Sequence, residues 1–137
     1  VRLMDGGLAA WMKAGYPVEK GMQRPRAQKF MAPVDSRMLA TTDDVRVAKG
    51  WLADVRSRNE FEGRVSGYDY LDCKGRIPGA IHLQNGDSLT YRRRDGHLRA
   101  PSDILALWRT AGIVSTKVPN QFDREVVFYC GSGWRSS

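Results

Sequence analysis

A cysteine that follows a buried strand and precedes two glycines is the position where this sequence could carry out nucleophilic chemistry. Val126–Tyr129 is a continuous apolar, β-favouring run, and Cys130 comes directly after it. Parallel α/β sheets bind ligands at the carboxyl ends of their strands, so we expect Cys130 at such an edge. Because Gly131 and Gly133 carry no side chains, successive backbone N–H groups of residues 131–136 can converge on one point and hold an anion.

An anion-binding loop of this kind would favour the thiolate form of Cys130. Arg135 adds a full positive charge close by, so we expect the thiol to ionise below the value of about 8.5 typical of a free cysteine. The thiolate is the reactive form, and Cys130 is therefore the candidate nucleophile. The alternative, a buried and inert thiol, is the common state of a free cysteine and is the interpretation we favour for Cys73, which no such loop or base accompanies.

Helices alternating with strands are predicted to position this loop, which indicates a parallel α/β sheet. Thr42 and Ser102 are candidate N-caps, and Gly112 is expected to end the last helix. Residues 64–75 form a loop rich in glycine and tyrosine. The predicted strands are 51–55, 80–83 and 126–129, and the predicted helical segments are 8–12, 43–48, 59–62 and 103–111.

Length and composition limit the classes of protein that this chain can represent. Its 137 residues suit a single domain, and 42% hydrophobic residues can form a core. No apolar run reaches membrane-spanning length. Two cysteines and two histidines argue against a disulfide scaffold and a zinc site, so no metal is predicted. The formal charge of +7 is compatible with a small anionic substrate; the basic cluster at residues 91–94 is interpreted as a solvated loop, and neither nucleic acid nor membrane is predicted as a partner.

The segment from Cys130 to Ser136 resembles the active-site loop of the rhodanese sulfurtransferases. Three further segments carry the same resemblance, at residues 5–11 (Asp-Gly-Gly-Leu-Ala-Ala-Trp), 54–63 and 75–80. The insertion at 67–70 and the Trp134–Arg135 pair resemble the periplasmic-type tandem thiosulfate sulfurtransferases in particular. The resemblance implies an α/β, three-layer fold with a central, mostly parallel sheet that is incomplete after the catalytic loop.

The order of these segments predicts how the chain is divided. In the family, the Asp-Gly-Gly-x-x-x-Trp segment follows the catalytic loop, whereas here it comes first. We therefore expect residues 1–20 to be the last strand and helix of a preceding rhodanese domain, 21–41 to be a linker or extended arm, and 42–137 to be the first part of the next domain. On this division the chain alone is expected to be inactive, and a circular permutation is the alternative to the division. The resemblance leaves the compartment open between cytoplasm and periplasm, with the periplasm slightly favoured.

The resemblance also implies a reaction and the residues that perform it. A Cys130 thiolate takes the sulfane sulfur of thiosulfate or a similar anionic donor and passes it, through a persulfide, to a thiol or cyanide acceptor, with no cofactor. The implied donor-binding residues are those of the loop and one more arginine: Gly131, Ser132, Gly133, Trp134, Arg135, Ser136 and Arg56. For Arg56, an ion pair with Asp54 or Glu60 is an equally favoured role. Family members that use mercaptopyruvate have an arginine where this chain has Glu62, which favours thiosulfate-like donors.

Two other classes of function stay open on the sequence. A cysteine-dependent phosphatase has a related loop, but with five residues between Cys and Arg and commonly a histidine before the cysteine. Here four residues intervene, and Tyr129 stands before Cys130. The other class is a non-catalytic rhodanese module that binds a partner or carries sulfur.

Overall fold

The computed structural model describes residues 4–29, 31–33, 35–83, 90–115, 122, 124–133 and 136. Within these ranges the helices and strands are α1 (Gly7–Lys13), α2 (Thr42–Val47), β1 (Trp51–Asp54), α3 (Arg58–Phe61), β2 (Ile81–His82), α4 (Pro101–Thr110) and β3 (Val126–Tyr129), with a short 3-10 helix at Ser36–Met38. Residues 64–75 contain no helix or strand, as predicted. The strand predicted at the start of the 1–20 segment ends at residues 1–4, of which residues 1–3 lie outside the described residues.

The two predicted N-cap residues are both wrong. Thr41, not Thr42, caps α2, and it forms a reciprocal capping box with Asp44. The helix α4 begins two residues earlier than expected because Pro101 occupies its first turn, where a missing N–H costs nothing. Ala100 is the N-cap residue there, so Ser102 lies inside the helix and does not cap it.

The three strands form one parallel sheet in the order β2-β1-β3. In the register of β1 with β3, Ala53 lies opposite Phe128 and Asp54 opposite Tyr129. All three strands therefore end at the same edge of the sheet, where Cys130 follows the outer strand β3. This confirms the predicted α/β class and the predicted position of the cysteine.

The buried core lies on and beside the central strand β1. Its members are all aliphatic: Ala53, Val55, Leu83, Ile113 and Val114. The apolar face predicted for α4 packs against this cluster through Leu105 and Trp108, and the Trp108 ring lies 5.5 Å from that of Phe128. Cys130 is half-buried and packs on the rim of the same cluster, so the core fixes the start of its loop.

The segment around α1 contacts the rest of the chain at the 92–98 hairpin. The Asp5 carboxylate accepts a hydrogen bond from the backbone N–H of Leu98 at 2.8 Å. Gly6 lies so close to His97 that a Cβ atom on this glycine would come within 2.8 Å of the ring Nε2. Trp11, predicted as a core residue, is instead 37% exposed, and its ring packs on Tyr16. The division of the chain at residues 20 and 41 stays a prediction.

None of the helices in the described part of the chain is long and apolar enough to cross a membrane.

Candidate active site

Hydrogen-bond donors of its own loop lie close to the Cys130 side chain. The backbone N–H of Gly133 donates to Sγ at 3.1 Å, and the Ser136 hydroxyl lies 3.8 Å from the same sulfur. The Ser136 hydroxyl also donates to the Gly133 carbonyl at 3.1 Å, which ties the two ends of the turn together. An N–H aimed at sulfur stabilises negative charge there, so the geometry suits a thiolate or a persulfide.

The structure describes only some of the remaining loop residues. Gly131 and Ser132 are exposed and continue from Cys130 into the turn. Trp134 and Arg135, both predicted to bind the donor, lie outside the described residues. Their roles therefore stay predictions.

Gly133 has a specific backbone requirement. Its φ of 88° lies in the left-handed region that side chains disfavour, and this conformation sets the direction in which the chain continues after the N–H that donates to the sulfur of Cys130. The glycine predicted from the loop pattern is thus needed for the turn itself.

Behind the loop, Arg56 and Asp54 form a buried ion pair. Arg56 Nη2 lies 2.7 Å from Asp54 Oδ2, and Arg56 Nε lies 3.0 Å from Oδ1, so the contact is bidentate. Asp54 is fully buried, and Arg56 is only 8% exposed. The same Nη2 also donates to the Gly75 carbonyl at 2.6 Å, which anchors the 64–75 loop to the end of β1. Of the two roles predicted for Arg56, the geometry favours the ion pair with Asp54.

Tyr129 completes this buried network. Its hydroxyl donates to Asp54 Oδ2 at 2.8 Å and accepts from the Ile77 N–H at 3.2 Å. The Arg56 guanidinium carbon lies 5.7 Å from the Tyr129 ring centroid. Because Tyr129 directly precedes Cys130, the network fixes the residue from which the loop departs.

The network sets the charges at this edge of the sheet. Burial by itself would raise the pKa of Asp54, but the hydrogen bonds from Arg56 and Tyr129 outweigh it and hold the pKa below its ordinary value. The hydrogen bonds to Asp54 raise the pKa of the Arg56 guanidinium. Burial, followed by the hydrogen bond to Asp54, raises the pKa of Tyr129 to about 12. At neutral pH the pair is therefore ionised, and the Tyr129 phenol keeps its proton and is not a base.

Glu60 and Glu62, which flank the end of α3, have separate roles. Glu60 is buried, and its carboxylate accepts from both the backbone N–H and the hydroxyl of Ser57 in a capping box. Glu62 pairs at the surface with Arg64 at 2.7 Å. The ion pair of Arg56 is thus formed with Asp54, while Glu60 caps α3.

Sequence reasoning missed one neighbour of Arg56 and one neighbour of the Cys130 loop. His82, at the end of β2, lies 2.9 Å from the Arg56 carbonyl through Nε2. Tyr68, on the 64–75 loop, packs its ring against the backbone of Gly131. The pairing of parallel strand ends could have placed His82 beside Arg56, whereas no local pattern connects Tyr68 with a residue so far along the chain.

Comparison with known proteins identifies the fold to which this site belongs. Residues 36–137 match the rhodanese-like domain. The chain belongs to the rhodanese family. Cys130 and its loop therefore occupy a rhodanese domain, and the segment before residue 36 precedes the matched region.

Curated relatives of this rhodanese chain include sulfurtransferases from several bacteria. It is 34% identical over its whole length to the thiosulfate sulfurtransferase YnjE of Escherichia coli, of which it covers 33%. It is 30% identical to a putative thiosulfate sulfurtransferase of Mycobacterium tuberculosis, covering 49% of that protein. A sulfur carrier protein of Thermus thermophilus, TtuD, is 29% identical, again with 49% covered. The chain thus spans a third to a half of the length of the relatives it matches.

Solved structures with the same fold include enzymes of ergothioneine metabolism. The chain matches an anaerobic ergothioneine biosynthesis enzyme from Chlorobium limicola, in complex with trimethyl histidine, with a TM-score of 0.79 and 34% identity. A variant of EanB with ergothioneine covalently linked to a cysteine persulfide matches with a TM-score of 0.80 and 34% identity. In each case 98% of this chain and 33% of the other chain are covered.

Proposed function

We propose that the protein transfers a sulfane sulfur from thiosulfate, or a similar anionic donor, to a thiophilic acceptor through a persulfide on Cys130. The observation that carries the proposal is the hydrogen bond from the Gly133 N–H to Cys130 Sγ, at the carboxyl edge of a parallel sheet. Thiosulfate sulfurtransferases among the relatives support the reaction class. The persulfide in a structural neighbour supports the intermediate.

The first half-reaction forms the persulfide. The Cys130 thiolate attacks the outer sulfur of thiosulfate, a new S–S bond forms, and the original S–S bond breaks. Sulfite leaves with the electron pair of that bond, and the terminal sulfur of the persulfide carries the negative charge. The N–H of Gly133 donates to Sγ and stabilises the attacking thiolate, and the Ser136 hydroxyl lies 3.8 Å from the same sulfur.

The second half-reaction returns the enzyme to its starting state. A nucleophilic acceptor, cyanide or a thiol, attacks the terminal sulfur of the persulfide. The bond between the two sulfurs breaks, and the electron pair returns to Cys130 as its thiolate. No metal or organic cofactor takes part in either step.

The loop residues are proposed to hold the donor. The Gly133 N–H and the Ser136 hydroxyl approach Cys130 Sγ, while Gly131, Ser132, Trp134 and Arg135 make up the rest of the loop in the sequence. We assign the anionic end of thiosulfate to Arg135. The Nε and Nη2 groups of Arg56 are already bonded to Asp54 and Gly75, so Arg56 supports the loop from behind.

Sulfite release and thiocyanate formation test the proposal in the full protein. With thiosulfate and cyanide as substrates, we expect double-displacement kinetics, because sulfite leaves before cyanide binds. Double-reciprocal plots against thiosulfate, recorded at several fixed cyanide concentrations, should then be parallel lines. Trimethyl histidine and a simple thiol belong in the same acceptor panel, since a structural neighbour holds the former. Hydrolysis of an aryl phosphate without sulfur transfer would instead establish the phosphatase alternative.

A further inference from the structure

The glycine- and tyrosine-containing loop at 64–75 folds back over the loop that carries Cys130. Its start is held by the backbone N–H of Arg64, which donates to the Asn59 carbonyl at 2.9 Å. Its end is held by the Gly75 carbonyl, which accepts from Arg56. The first anchor is a residue of α3 and the second is Arg56, which follows β1, so the loop between them has a fixed place beside the site.

Between these anchors a tight turn presents the side chain of Tyr68. The Ser66 hydroxyl donates to the Tyr68 carbonyl at 2.8 Å and accepts from the Tyr68 N–H at 3.3 Å. Gly67, with a φ of 81°, packs directly on the Glu60 carboxylate, where a side chain would collide with it. The turn therefore fixes where Tyr68 leaves the loop.

The ring of Tyr68 occupies the space that a side chain at position 131 would need. A Cβ atom built on Gly131 would lie 2.5 Å from the Tyr68 hydroxyl oxygen and in collision with the adjacent ring carbons. Real Cβ atoms essentially never come within 3.0 Å of another heavy atom in this way. Gly131 is absent from the glycines with a left-handed φ, so its backbone conformation does not itself require glycine. The requirement for glycine comes from Tyr68.

We infer that Tyr68 is a positioning residue for Cys130, whose ring packs on Gly131 and so holds the turn that aims the Gly133 N–H at the sulfur. The inference rests on the proposed function, because that function needs charge on the sulfur to be stabilised. Gly131 is the first residue after Cys130, and Gly133 donates at 3.1 Å only two residues later. A displacement of the Gly131 peptide therefore moves the donor directly.

The neighbouring Tyr70 supplies a matched control. Its ring lies 5.3 Å from that of Tyr68, but the residue is 71% exposed, and the three atoms nearest to a Cβ built on Gly131 all belong to Tyr68. Removal of either ring deletes an aromatic side chain from the same loop. Only the loss of Tyr68 is expected to change the behaviour of Cys130.

The pH profile of Cys130 alkylation tests this positioning role without relying on sulfur transfer. Iodoacetamide is used on the full protein in a Cys73→Ser background, because the prediction of a buried thiol at Cys73 is wrong: this cysteine is exposed and would react as well. We expect Tyr68→Ala to move the midpoint of the profile upward by roughly half to one pH unit, which is a three- to tenfold smaller ionisation constant of the thiol. Tyr68→Phe keeps the ring and is expected to restore the midpoint, and Tyr70→Ala is expected to keep it. A Tyr68→Ala profile equal to that of the parent, or a Tyr68→Phe profile as shifted as that of Tyr68→Ala, would overturn the inference.

A double substitution keeps the test decisive if Tyr68→Ala also lowers stability. Gly131→Ala alone should slow sulfur uptake from thiosulfate, because its new Cβ collides with the Tyr68 ring. In the double variant with Tyr68→Ala the collision is absent. We therefore expect its loss in the rate of sulfur uptake to be smaller than the product of the losses in the two single variants. Fully multiplicative losses would contradict the packing of Tyr68 on Gly131. Failure of the parent protein to take up sulfur would overturn the proposed function, while the alkylation profiles would still decide the role of Tyr68.

Discussion

Replacing Arg56 with methionine tests whether this arginine supports the site from behind or binds the sulfur donor. Methionine fills much of the same space but leaves Asp54 fully buried without its cationic partner. The lost contacts are the bidentate pair at 2.7 and 3.0 Å and the 2.6 Å bond to the Gly75 carbonyl. Breaking a buried pair in this way costs about 3–5 kcal/mol. Because small domains have a free energy of unfolding of about 5–15 kcal/mol, a loss of this size is readily measured by urea denaturation.

The loss of stability in Arg56→Met is expected to depend on pH. In the parent protein the folded-state pKa of Asp54 lies below its ordinary value. The stability that this shift contributes is therefore present above that value and is lost as the pH falls through the folded pKa. Burial raises the pKa of Asp54, and without the guanidinium only the remaining hydrogen bonds, such as that from Tyr129, lower it. The pKa of Asp54 therefore rises in the variant. The variant then regains stability on protonation, so the difference between the two proteins is largest near neutral pH and shrinks toward about pH 4.

Arg58→Met is the matched control for this experiment. Arg58 is close in sequence, but its side chain is 60% exposed and its nearest contact with Glu62 is 3.7 Å. An exposed pair of this kind contributes about 0–1 kcal/mol. A double variant, Asp54→Asn with Arg56→Met, should recover part of the loss because no buried charge remains. A loss for Arg56→Met no larger than that for Arg58→Met, together with a raised KM for thiosulfate, would refute the supporting role and assign Arg56 to donor binding.

Two further substitutions probe the segments that surround the site. Ser57→Ala removes one half of the capping box with Glu60, so we expect the free energy of unfolding to fall by about 1 kcal/mol in urea denaturation, and an unchanged value would mean that α3 needs no cap. Gly6→Ala introduces a side chain at a φ of 81° and against His97, whereas Gly7→Ala has open space at a φ of 56°. We therefore expect Gly6→Ala to lower the melting temperature more than Gly7→Ala, and equal effects of the two would show that the contact with the 92–98 hairpin is not formed.

The sequence predicts the strands and the position of Cys130 at the sheet edge well because both depend on local patterns. The run of four apolar residues at 126–129 is a strand, and the sheet edge that follows it carries Cys130. The glycine at 133 adopts the left-handed conformation that its place in the loop implies. Such features depend on the residue types alone, with little influence from distant parts of the chain.

Helix ends and the environment of the site were harder to predict because distant contacts decide them. Thr41 caps α2 although Thr42 is an equally good capping residue, and the choice depends on where the chain enters the helix. Asp54 and Tyr129 are separated by 75 positions, and only the register of β1 with β3 brings them together. The packing of Tyr68 on Gly131 likewise requires the complete fold. Local sequence patterns carry no record of such pairings.

The measurement that tests the central claim most directly is the location of a transferred sulfur atom. After incubation with thiosulfate, trypsin releases the two cysteines on separate peptides, Cys73 on residues 65–74 and Cys130 on residues 125–135. We predict that mass spectrometry finds the mass of one additional sulfur on the 125–135 peptide, and that Cys130→Ser abolishes it while Cys73→Ser does not. Sulfur on the 65–74 peptide alone, or an adduct that persists in Cys130→Ser, would contradict the assignment of Cys130 as the sulfur acceptor.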